Sequence, residues 1–112
     1  MKNLNLLVVV DEAYYEFSGR TVQNLVSENE NLIVLRTMSK WAGLAGLRVG
    51  YGIMHPDIAR YIMEIKPPYN VNVAGEAALI ASLEDSEYLL SNVKLIIDER
   101  ERLYRCLLTI TG

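Results

Sequence analysis

Four residues able to do chemistry stand near the ends of short apolar runs in this chain. Asp11 closes the run LLVVV, and Tyr14 follows three residues later. Lys40 follows NLIVLRT inside the segment TMSK, with Thr37 and Ser39 beside it, and Arg48 adds a second cation eight residues on. An acid at the carboxyl end of a buried strand faces the edge where open α/β sheets bind ligands. Desolvated there, it calls for a cationic partner. The competing reading makes Asp11 a turn residue capping the next segment. Lysine in a loop is usually a solvated charge. The following WAGLAGLR argues otherwise, since Gly43, Ala45 and Gly46 would let backbone come close to a ligand. Two cations, two hydroxyls and a pliant backbone describe a phosphate pocket. It is not a P-loop, because the order GxxxxGK[ST] is absent.

Three apolar segments must carry these groups. Leu4–Val10 runs without alternation, which predicts a strand buried on both faces in a parallel sheet covered by helices. Asn31–Thr37 predicts a second strand of the same kind, and Val49–Met54 a third. Gly50 and Gly52 weaken that third strand, and close backbone approach would explain them. Thr21–Asn29 reads as a short connecting helix. Beyond Met54 the period changes. Ile58, Ile62 and Ile65 predict a helix over 56–66, begun by His55–Pro56 and stopped by Pro67–Pro68. An alanine-rich helix is expected over 73–83 and a long one over 86–108. The long one would bury Leu89, Val93, Ile96, Ile97, Tyr104 and Leu108 and pair Asp98 with Arg102 and Glu101 with Arg105.

An acid, a phenol, an amine able to bond covalently and a phosphate clamp suit one ligand, pyridoxal phosphate. A carboxylate keeps its pyridine nitrogen protonated, a lysine forms a Schiff base with its aldehyde, and hydroxyl and arginine donors take its phosphate. The segments DEAYYEF, TMSKWAGLAGLRVGYG and KPPYNVN together resemble the fold-type I aminotransferases and, within them, the histidinol-phosphate aminotransferase branch. The resemblance runs from Leu6 to about Leu108.

It implies an α/β fold, part of the pyridoxal-phosphate-transferase large domain, with three adjacent strands, mostly parallel and the third antiparallel, followed by helices. Residues 1–112 would be the central part of that domain, and 86–112 a long helix leading toward a small domain outside the chain. Carried over position by position, Asp11 pairs with the pyridinium nitrogen and Tyr14 bonds the ring hydroxyl. Lys40 is the Schiff-base lysine and proton shuttle, while Ser39, Arg48 and Thr37 hold the phosphate. Lys40 would have to be a neutral amine, which burial and the nearby Arg48 would favour. Trp41 departs from the pattern, where many relatives have a small residue, and would crowd the loop.

The implied reaction moves an amino group between histidinol phosphate and 2-oxoglutarate, so the partners are a small-molecule amino donor and a 2-oxo acid. A homodimer or higher oligomer is expected, as is a cytoplasmic enzyme, or a plastid one if the source is a plant. Two rivals stay open: another enzyme on the same fold, such as an aromatic aminotransferase or a threonine-phosphate decarboxylase, and a non-catalytic homologue acting as an assembly module.

Composition excludes several other classes. The 112 residues are 51% apolar and 22% charged, an ordinary globular balance. Eleven basic and fourteen acidic residues give a net charge of −3, and no basic run stands out, so neither nucleic acid nor an anionic membrane is expected as partner. One cysteine, Cys106, and one histidine, His55, cannot build a disulfide or a zinc site. Cys106 is expected in the core, His55 at a helix start, and Asn70 and Asn72 in a loop or cap, with a site role left open.

Overall fold

The computed structural model describes residues 6–110. Three strands form one sheet in the order β1 (Val8–Asp11), β2 (Leu32–Thr37) and β3 (Gly50–Met54). β1 and β2 are parallel, with Asp11 beside Leu35, and β3 runs antiparallel to β2, with Thr37 beside Gly50. The mixed sheet agrees with the expectation, although β1 begins at Val8; Leu4 and Asn5 lie outside the described residues.

Side chains alternate across a pleated sheet, so neighbours in register share a face. Val8, Val10, Leu32, Val34 and Ile53 lie on one face and pack against Val22 and Val26 of the β1–β2 connection. That connection holds a one-turn helix α1 (Tyr15–Ser18), ended by Gly19 at φ 66°, and a 3-10 helix Gln23–Glu28 within the Thr21–Asn29 stretch expected to be a short helix. The opposite face carries Val9, Asp11, Leu35 and Thr37. Val9 is 52% exposed and Leu35 41%, so β1 is not buried on both sides as its unbroken apolar run suggested.

The helices follow their predicted bounds closely: α2 (Pro56–Ile65), α3 (Val73–Glu84) and α4 (Ser86–Leu108). His55 caps α2, its Nδ1 accepting from the Asp57 N–H at 3.3 Å, and Pro56 needs no such partner in the first turn. These helices do not blanket the sheet. Val93 of α4 and the flanking Leu79, Leu89 and Ile97 pack instead on Met38, Trp41 and Val49 of the β2–β3 connection. The rest of the predicted stripe of α4 is uncovered: Ile96, Tyr104 and Leu108 are each more than half exposed, and Cys106 is exposed too. The expected pairs of α4 are replaced by Lys94–Asp98, Glu99–Arg102 and Arg100–Glu101.

Candidate active site

The Lys40 loop is shaped by its apolar neighbours. Met38 is fully buried and Trp41 is 8% exposed, both in the cluster against α4. Two inward anchors three residues apart leave Ser39 half-buried and Lys40 exposed between them. Thr37 tightens the turn, its Oγ1 accepting from the Ser39 N–H at 3.1 Å. Trp41 thus points away from the loop and anchors it rather than crowding it. Its indole Nε1 is buried and has no hydrogen-bond partner among the described residues.

Asp11 combines both of its readings. Its Oδ1 accepts from the Ala13 N–H at 2.9 Å, which is the turn. The same residue lines an open cleft of about 330 Å³ with Ala13, Leu35, Arg36, Thr37, Ser39, Lys40 and Arg48. Five of the six residues singled out in the sequence therefore meet at the carboxyl edge of β1 and β2. The sixth, Tyr14, is beside them, with the Lys40 Nζ 5.5 Å from its ring centroid and the Phe17 ring tilted to it at 6.2 Å. No ion pair among the described residues uses Asp11, Lys40 or Arg48. Lys40 is exposed, so these residues alone do not supply the burial expected for it.

Arg48 sits at the end of a 3-10 turn, Ala45–Leu47, with φ 55° and ψ 44°. It is the one non-glycine residue with positive φ among those described, and its Nη1 donates to the Ala45 carbonyl at 3.0 Å. Gly43 also needs its left-handed backbone, at φ 71°. A Cβ at Gly43 or Gly46 would meet open space, so packing against the rest of the protein requires neither glycine. Asn72 caps α3, its Oδ1 accepting from the Gly75 N–H at 2.7 Å. Asn70 accepts from Lys66 Nζ at 3.2 Å.

The sequence reading missed a second cluster on the other face of the sheet. Glu12 is 8% exposed and accepts four hydrogen bonds: from Thr21 Oγ1 (2.8 Å), the Val22 N–H (2.7 Å), and Arg36 Nε (3.2 Å) and Nη2 (3.0 Å). The Arg36 guanidinium also lies 3.7 Å from the Tyr15 ring centroid. Burial pushes the Glu12 carboxyl up, but the Val22, Thr21 and Arg36 donors outweigh it and hold it below the ordinary value. The available signal was alternation. Glu12 is one residue past Asp11, and Arg36 one before Thr37, so the pleat sends the side chains of this pair to the other face of the sheet, although Arg36 also borders the cleft.

The family model for aminotransferases of class I and II matches residues 1–111. The chain belongs to this family. A histidinol-phosphate aminotransferase from Roseiflexus castenholzii is 54% identical over 110 residues, which is 98% of this chain and 30% of that protein. A chloroplastic histidinol-phosphate aminotransferase from Nicotiana tabacum is 52% identical over 94% of this chain and 26% of its own length. The crystal structure of the Sinorhizobium meliloti enzyme in complex with pyridoxal-5′-phosphate superposes with a TM-score of 0.79 at 35% identity, covering 88% of this chain and 28% of that one. The chain thus spans less than a third of the length of each of these relatives. The fold is that of the pyridoxal-phosphate aminotransferases.

Proposed function

We propose that the chain forms part of a pyridoxal-phosphate-dependent aminotransferase acting on histidinol phosphate and 2-oxoglutarate, in histidine biosynthesis. What carries the reading is the convergence of Asp11, Thr37, Ser39, Lys40 and Arg48 on one cleft, with Tyr14 at its side. The relatives' names add the substrate.

The donor set fits the cofactor. Asp11 has no cation paired to it among the described residues and suits a protonated ring nitrogen. The Ser39 and Thr37 hydroxyls and the Arg48 fork suit a phosphate, the guanidinium keeping further N–H donors besides the one bonded to Ala45. Tyr14 would donate to the ring hydroxyl. When bound, the cofactor supplies an electron sink for the charge left as a substrate Cα–H bond breaks. The Asp11 carboxylate sustains that sink by favouring the protonated nitrogen. Lys40 would be the covalent anchor, and its Nζ, as a neutral amine, would carry the proton between the two carbon centres on either side of the transferred nitrogen. Residues 1–112 would be the central part of the cofactor-binding domain, with α4 leading out of it. The remaining substrate contacts would come from the parts of the family's longer chains that this one does not span, and a homodimer would be the working assembly.

Borohydride trapping tests the reading. The protein is titrated with pyridoxal phosphate, followed in the visible, reduced, digested and mapped by peptide mass. Label confined to Lys40 and lost in Lys40→Ala is expected. Label spread evenly over the lysines, or none, would overturn it.

A further inference from the structure

Asn72 uses both ends of its side chain. Its Oδ1 caps α3 at Gly75, and its Nδ2 donates at 2.8 Å to the carbonyl of Leu47, twenty-five residues earlier. That carbonyl belongs to the peptide joining Leu47 to Arg48. On the far side of Arg48, the Val49 carbonyl accepts from the Met38 N–H at 3.2 Å. Arg48 is therefore fastened on both flanks, in a left-handed conformation that L residues with a Cβ disfavour. The fit around the fastening is close. A Cβ on the buried Gly75 would lie 3.1 Å from Asn72 Nδ2 and 3.2 Å from the Leu47 carbonyl oxygen. A backbone conformation that is unfavourable in itself persists only when its surroundings hold it, and such conformations gather at ligand clamps.

We propose that Asn72 is a positioning residue for Arg48: it fixes the Leu47–Arg48 peptide so that the guanidinium faces the cleft and an anionic phosphate group there. This rests on Arg48 being a phosphate ligand. It gives the start of α3 a part in shaping the site, which its role as a helix cap alone would not require. A cap needs only the acceptor Oδ1. The donor Nδ2 adds the hold on the loop.

The two roles separate by substitution. Asn72→Ser keeps a capping oxygen for Gly75 but cannot reach Leu47. Asn72→Asp keeps the cap and replaces the donor by an acceptor, and serves should the serine variant fold poorly. Dissociation constants for pyridoxal phosphate and for pyridoxal, which lacks the phosphate, are read by fluorescence in the wild-type chain, Asn72→Ser, Arg48→Ala and the double variant. Amide hydrogen exchange over residues 44–49 and over α3 is read in parallel. Losing one hydrogen bond's worth of positioning should weaken pyridoxal phosphate about three- to tenfold in Asn72→Ser. Pyridoxal should be unaffected, and the loss should vanish in the Arg48→Ala background. Exchange over 44–49 should quicken while α3 stays protected. Unchanged exchange over 44–49, or equal weakening of both ligands, would overturn the proposal. Equal phosphate-ligand binding by Arg48→Ala and wild type, or none by either, would instead sink the cofactor reading of Arg48. The exchange data would then decide the fastening by themselves.

Discussion

Asp11 and Glu12 are adjacent and chemically alike, yet the pleat gives them to opposite faces of the sheet, and their surroundings differ accordingly. Asp11 meets the cleft with one backbone N–H on it, while Glu12 is buried under four donors. Glu12→Gln should therefore cost stability, because Arg36 would stay buried beside a neutral amide. The Arg36 side chain is 8% exposed in the pair. The loss should be about 2–3 kcal/mol at pH 7 in urea denaturation, the scale of charged hydrogen bonds broken on one side. The sign with pH is fixed by the lowered carboxyl of Glu12. Its stabilisation is complete above the unfolded value of 4.5 and is lost as pH falls through the folded one. Glu16 titrates the opposite way, pushed up by burial and by the Glu12 charge. The gap between wild type and Glu12→Gln should hence be flat above about pH 5 and close below 4.5. A gap of the same size at pH 3.5 would rule out the ionised pair as its source. Asp11, Thr37, Ser39, Lys40 and Arg48 were legible because their types and order form one motif. Glu12 and Arg36 were not, because neither belongs to that motif and only strand register brings them together.

The strands and long helices were legible as elements because each is bounded by strong local signals. Pro56, the Pro67–Pro68 pair and Asn72 mark the ends of α2 and the start of α3 within a residue or two. Partners were less legible, since periodicity says which residues share a face and not what lies against it. The two glycines of β3 show the same limit. A Cβ on Gly50 would stand 2.6 Å from the Arg36 carbonyl oxygen, which is backbone. One on Gly52 would meet the Met54 Cε at 2.5 Å, the tip of a flexible side chain. Close backbone approach thus explains Gly50 and not Gly52. Gly50→Ala should destabilise by about 1–3 kcal/mol as the β2–β3 ladder shifts, with Gly52→Ala milder because Met54 can turn aside. Matched denaturation curves would decide, and a larger effect at Gly52 would count against this account. The Gly50 change should also disturb the cleft, because its strand partner is Thr37.

Over the whole molecule the radius of gyration is 17.6 Å, against about 13 Å for a compact domain of this length. The excess has visible causes. α4 extends past the cluster that holds Val93, α2 leaves Ile65 81% exposed, and Val9 and Leu35 stand uncovered on the cleft face of the sheet. Among the described residues, β1 and β3 each pair along one edge only. Unpaired strand edges beside apolar surface favour pairing with another chain, and exposed apolar patches of this kind mark contact surfaces. The chain alone should therefore self-associate. Sedimentation velocity across a hundredfold range of concentration should show the weight-average coefficient rising with loading. The edge argument makes the prediction more specific. A lysine placed at Val9, on the uncovered face of the edge strand β1, should shift the distribution toward monomer, since a charge there opposes a second sheet laid against it. Asn24→Lys, in the 3-10 helix away from that face, should leave it unchanged. A single sharp monomer peak at every concentration would mean that these surfaces tolerate water better than their area suggests. The same comparison would show whether Val9 or the bare ladder edge dominates the contact, because Val9→Lys removes the apolar face while leaving the β1 hydrogen-bonding groups in place.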